Sequence, residues 1–162
     1  MSNHATSHAF GAGDPIKSVT GTTTNDNAAA GEVGQYVSST IVLGSAVGLT
    51  TSTPADITSI SLTAGDWDVD ASLWFGGNGA TTVDYFRGSI SATSATLDDT
   101  PDRFSSTVKS GATVFGVANE NISVGTTRFS LASTTTIYMV ADTSFGVSTC
   151  SGYGTLRARR MR

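Results

Sequence analysis

Three carboxylates at alternate positions, Asp66, Asp68 and Asp70, are the residues of this sequence best spaced for chemistry. Such a cluster invites two readings, a calcium loop and the carboxylate pair of glycoside hydrolysis. Residues two apart in an extended strand are separated by roughly 6.5 to 7 Å, too far for three of them to close around one ion. Glycosidic chemistry needs two carboxylates facing each other in a cleft; Asp84 adds a fourth acid, but nothing in the spacing builds the cleft. His4 and His8 lie four apart, with no carboxylate or third histidine beside them to complete a metal site. Serine and threonine are abundant, yet no Gly-x-Ser-x-Gly elbow occurs and both histidines lie in the expected arm, far from any ordered Ser-Asp pair. Gly76-Gly77-Asn78-Gly79 is followed by a strand pattern instead of a helix N-terminus and carries no lysine, so it does not read as a phosphate loop. Cys150 stands alone, which rules out an intrachain disulfide or a thiolate cluster, and it reads as a small hydrophobe in a late strand. Enzymatic activity, a cofactor and a bound metal are therefore not expected.

The acidic run belongs to the clearest structural element of the chain. From Thr63 to Phe75 the apolar Trp67, Val69, Ala71, Leu73 and Phe75 alternate with Asp66, Asp68, Asp70 and Ser72. Alternation at period two gives a strand one dry face and one wet face, whereas a helix would scatter the same residues around its circumference. Ala64-Gly65 before it and the glycines after it bound this central strand. The acids then form a hydrated outer face. Arg157 and Arg159 share one face of the last strand, and opposite charges on neighbouring strands or subunits fix register, which makes Asp66, Asp68 and Asp70 with Arg157 and Arg159 a candidate interface.

At 162 residues, of which 14% are charged, the chain fits one domain rich in Ser, Thr and Gly, as all-β proteins with short strands and tight turns are. The formal charge is -4, but Arg157, Arg159, Arg160 and Arg162 supply four of the nine basic residues, leaving five against thirteen acids in the body. An acidic body does not bind nucleic acid nonspecifically, so the basic end is expected to meet an acidic partner or an acidic patch of its own body. The first ten residues lack a basic start followed by an apolar run, and no segment approaches the length of a membrane span, so a soluble product with no membrane partner is expected. Residues 1–30 carry few large apolar groups, namely Phe10, Ile16 and Val19, and read as a flexible arm that orders on a partner through those anchors. Residues 31–162 form the domain.

Beyond Gly34 come short β-prone runs punctuated by Gly44, Gly48 and Pro54, then the central strand, then Thr81 to Leu97 with a bulge expected at Gly88. Asp98, Asp99 and Asp102 sit in a polar loop with Pro101, expected to be the most exposed acidic point of the body. Strands follow at Thr107 to Val117, Ile122 to Leu131, Thr135 to Phe145 and Gly152 to Arg160. The Thr135 strand is apolar on both faces, with Ile137, Met139 and Ala141 on one and Tyr138 and Val140 on the other, so it should be covered on both sides. Turn signals at this spacing mark a sandwich or barrel.

Three stretches together, Ala28 to Ile41, Ile57 to Phe75 and the final SGYGTLRARRMR, resemble small virion proteins of tailed bacteriophages and the C-terminal domains of some of their tail fibres. The order of a core aromatic strand, a late Thr-Ile-Tyr strand and a last Gly-Tyr-Gly strand is similar to the jelly rolls of tumour necrosis factor and complement-type heads. This resemblance implies an all-β jelly-roll sandwich, assembled as a homotrimer about an apolar axis and located in the virion. It implies a capsid decoration or short head fibre, joined through its arm to other virion proteins of capsid or tail. The alternative it implies is a receptor-binding tail-fibre tip that takes host surface glycan through Trp74, Tyr85 or the Asp98, Asp99 and Asp102 loop. Trp74 falls on the wet side of its strand, where a sugar or a neighbouring subunit can cover it.

Overall fold

The alternation read from the sequence becomes nine strands in the computed structural model, which describes residues 24–115 and 118–162. They are β1 (Tyr36–Ile41), β2 (Val47–Gly48), β3 (Ala55–Leu62), β4 (Gly65–Gly77), β5 (Thr82–Ser91), β6 (Phe104–Val114), β7 (Asn119–Leu131), β8 (Thr135–Gly146) and β9 (Cys150–Arg160). Among the described residues the only helical piece is a 3-10 turn at Leu43–Ser45. Phe10, Ile16 and Val19, and with them His4 and His8, lie outside the described residues.

One antiparallel sheet runs β1-β9-β4-β7, with β2 continuing the β1 side along β9, and the other runs β3-β8-β5-β6. The pairings nest: β5 with β6, β4 with β7, β3 with β8 and β1 with β9. A chain doubled back at the β5–β6 connection, then rolled so that successive pairs fall in opposite sheets, produces this order, the winding of a jelly-roll sandwich.

The dry face of β4 lies where alternation puts it. Trp67, Val69, Ala71, Leu73 and Phe75 are all buried, and they pack against Phe86 and Ile90 of β5, Ile137, Met139 and Ala141 of β8, and Leu156 and Ala158 of β9. The Phe75 and Phe86 rings meet across the sandwich at 4.8 Å between centroids. At about 1.5 to 3 kcal/mol per fully buried large apolar side chain, this layer is the main term holding the two sheets together.

Three expectations need correction. The irregularity in β5 is not at Gly88, which pairs in register with Ser105 and Ala141; it falls between Val83 and Tyr85, where Asp84 is the extra residue against β8 and accepts a hydrogen bond from Ser144 Oγ at 2.8 Å. Asp66 is not hydrated: it is 5% exposed, between Arg128 and Arg162. Arg160 is not free for a partner. It is buried at the end of the sandwich, its guanidinium 4.4 Å above the Trp67 ring, donating to Ala64 O at 2.9 Å, to Gln35 Oε1 at 3.3 Å and to Thr63 Oγ1. Gly65, at φ +137°, is required here, because a Cβ on it would occupy the Arg160 guanidinium. The loop of acids keeps Asp99 and Asp102 exposed, as expected, with Asp98 half-buried and bonded to Thr100 and Arg103.

That loop explains why β8 is apolar on both faces. Asp56 of β3, Val140 of β8 and Ser89 of β5 lie side by side across the second sheet, on its outer face. Asp56 accepts hydrogen bonds from Ala95 N at 2.7 Å and Ser94 Oγ at 2.5 Å, and Ser89 Oγ is bonded to both N and O of Asp98. The β5–β6 connection is thus pinned on either side of Val140 and passes over it, leaving Val140 fully buried. Cover for the second face of β8 comes from the same chain. At the other end of the described chain, Asn27 lies inside the arm expected over residues 1–30, yet its amide bonds both N and O of Tyr36, at 2.9 and 2.7 Å.

Candidate functional site

With the outer face of the β3-β8-β5-β6 sheet capped at Val140, the outer face of the β1-β9-β4-β7 sheet gathers the charged and aromatic residues that the sequence singled out. Its middle strands are β4 and β9, and their register sets Asp68 opposite Arg159, Asp70 opposite Arg157, Ser72 opposite Thr155 and Trp74 opposite Tyr153. The two most distinctive strings of the sequence, GDWDV and GYGTLRARR, are therefore direct neighbours. Gly154, at φ +145°, makes that approach possible, because a Cβ there would collide with the backbone oxygen of Ser72.

Near the Arg160 end the face is a lattice of charges. Arg157 Nε donates to Asp70 Oδ1 at 2.5 Å, Arg128 of β7 donates to Asp66 Oδ1 at 2.9 Å, and Arg162 donates to Asp66 Oδ2. Hydrogen bonds from Ser130 and Arg128 hold the Asp66 carboxyl down at about 2. The basic end thus meets an acidic patch of its own body. Asp68 makes no hydrogen bond or ion pair among the described residues, and Arg159 meets only the Tyr36 ring, 5.9 Å from its centroid. Two open recesses of about 350 and 340 Å³ lie to either side of Asp68, the first walled by Asp66, Arg128 and Arg162, the second by Tyr36, Asp70 and Arg157.

Toward the opposite end the face turns aromatic. Trp74 is 38% exposed and its rings lie nearly parallel to Tyr153, 19° between planes and 6.2 Å between centroids. Asn121 of β7 borders the pair and donates to Ser72 Oγ and Leu73 O, both at 3.1 Å.

The other residues named for recognition do not join this face or one another. Tyr85 is half-buried on the outer side of the second sheet, where its hydroxyl donates to Asp142 Oδ2 at 3.2 Å and the Arg87 guanidinium sits 4.0 Å over its ring. Asp98 accepts from Thr100 N and Oγ1 and from Arg103 Nη1 at 2.9 Å; burial pushes its carboxyl up, but those bonds outweigh it and the net direction is down. Asp102 accepts from Thr127 Oγ1 at 2.7 Å, and both it and Asp99 are exposed, whereas Asp98 is half-buried. Trp74, Tyr85 and the acids therefore occupy three separate places. Sequence reasoning passed over Tyr153 and Arg128, although Tyr153 shares the odd-numbered face of Arg157 and Arg159. Cys150 is buried at the start of β9, which pushes its thiol up to about 11. Among the described residues no three His, Cys, Asp or Glu side chains are placed to hold a metal ion.

No family model matches the sequence, and no curated protein matches it. Among the solved structures to which the chain is similar are several of infectious bursal disease virus. One is that of infectious bursal disease virus, Gx strain, at 10% identity with a TM-score of 0.46, covering 78% of this chain and 32% of that one. Another is the VP2 subviral particle of the same virus, at 14% identity with a TM-score of 0.45, covering 92% of this chain and 38% of that one. The chain spans less than two-fifths of the length of either.

Proposed function

We propose that this chain is a non-enzymatic structural protein of a tailed-phage virion, a homotrimeric surface decoration or short head fibre. Residues 1–30 attach it to another virion protein through Phe10, Ile16 and Val19, and the jelly roll of residues 31–162 is the exposed part. One observation carries the reading: the strings on which the phage resemblance rests are register partners on the two middle strands of one sheet, so they build a single surface of a jelly roll. Threefold closure is taken from the resemblance to trimeric jelly rolls. The doubly apolar β8 does not call for a neighbouring subunit, since the chain's own loop covers Val140.

A second reading, a receptor-binding tail-fibre tip, is favoured by one observation, the exposed Trp74 beside Tyr153. Residues 1–23 can be deleted without touching Asn27, whose amide ties the chain to β1. The truncated protein should keep its oligomeric state and melting temperature and fail to join particles. Assembly of the truncated protein onto virions would refute attachment through the arm. Particles lacking the protein separate the two readings: fragile heads with normal adsorption indicate a decoration, and sturdy particles that fail to bind cells indicate a receptor-binding tip.

A further inference from the structure

We infer that the outer face of the β1-β9-β4-β7 sheet binds a second copy of itself about a twofold axis that runs along the strands between β4 and β9. The argument is charge complementarity. Such an axis carries β4 of one copy over β9 of the other without shifting it along the strand, so each residue meets the register partner of its counterpart. Asp68 comes over Arg159 of the partner subunit, Asp70 over the partner subunit's Arg157, and Trp74 over the partner subunit's Tyr153, because these are the cross-strand pairs within one chain. A face whose cross-strand pairs were acid with acid would repel its copy under the same operation. Here the charged pairs are acid with base, the aromatic pair is indole with phenol, and Ser72 with Thr155 between them carries no charge.

The state of the charges fits the same partner. Asp68, without hydrogen bond or ion pair among the described residues, and Arg159, touching only Tyr36, are opposite in sign and register neighbours. A second copy supplies each with the group it lacks, and the 38% exposure of Trp74 falls in the same contact. Two sheets meeting face to face pack close to aligned, with side chains of both faces filling the space between them, which this arrangement satisfies. The contact leaves the strand edges of the sandwich free, so it is compatible with threefold closure and would link neighbouring trimers on a particle surface. It does not depend on where the protein is attached.

Complementary variants of the full chain test it. Asp68→Arg gives a chain with two cations at these positions, and Arg159→Asp gives one with two anions; neither position takes part in an ion pair among the described residues. Sedimentation of the wild type should show even-numbered species, and each variant alone should lose them, with association weakened on the order of tenfold or more. An equimolar mixture of the two variants should recover the even-numbered species, as should the double variant Asp68→Arg/Arg159→Asp alone. Recovery by mixing cannot come from repairing contacts inside one chain, and unchanged melting temperatures of the single variants confirm that they fold. A wild type found only as monomer or trimer overturns the inference. So does a mixture that stays apart, or a monomeric wild type whose Trp74 fluorescence instead responds to soluble oligosaccharide.

Discussion

Trp67 offers the most direct measure of whether the faces of β4 have been read correctly. Its side chain is fully buried, its Nε1 donates to Thr63 O at 2.9 Å, and its ring lies under the Arg160 guanidinium at 4.4 Å. Trp67→Ala removes all three contacts at once. Truncating a large buried aromatic costs about 3 to 5 kcal/mol. The upper half of that range is expected here, because the Thr63 carbonyl loses its donor and Arg160 loses its ring. A domain of this size has about 5 to 15 kcal/mol in total, so the variant should be destabilised severely or fail to fold. Trp67→Phe keeps a buried aromatic ring but removes the N–H and part of the bicycle, leaving one acceptor unsatisfied, and should cost about 1 to 3 kcal/mol. Urea titration followed by far-ultraviolet circular dichroism gives both values, provided the slope of the transition is unchanged. A loss below about 1 kcal/mol for Trp67→Ala would falsify the assignment of β4 and with it the layering of the sandwich.

Further outcomes follow from other contacts. Gly154→Ala forces a Cβ into the Ser72 backbone at a left-handed φ, so β9 must shift against β4, and a drop in melting temperature of about 3 °C or more is expected for a cost above about 1 kcal/mol. The Asp66 carboxyl is held at about 2 against an ordinary 3.8, so the stability it contributes is fully present above about pH 4 and is lost as pH falls through about 2; a melting-temperature profile over that window should flatten in Asp66→Asn. Asp56→Ala removes the acceptor of Ala95 N and Ser94 Oγ, and hydrogen exchange at Ala95 should accelerate while the β4 amides stay protected.

Much of this was legible because a strand with one buried face writes its period into the sequence. The inward set of β4 from Trp67 to Phe75 lies where alternation placed it, and β8 is covered on both sides as its composition demanded. Bulges and long-range cover were not legible, for a physical reason in each case. A bulge at Asp84 is decided by how two strands meet partners far away in sequence, and Gly88, the residue that looked like an interruption, fits a regular pairing. The cover over Val140 is supplied by residues some forty positions upstream, anchored by Asp56, Ser89 and Asp98, and no local pattern announces that a polar loop will lie flat. Three near-identical arginines were divided by register alone. Arg157 and Arg159 point outward and Arg160 inward, because β9 keeps its alternation to the last residue. Parity therefore decides which charges remain available to a partner. Asp68 and Arg159 are left over on the outer face after Asp66, Asp70 and Arg160 have been used within the chain, and it is on those two residues that a partner surface has most to gain.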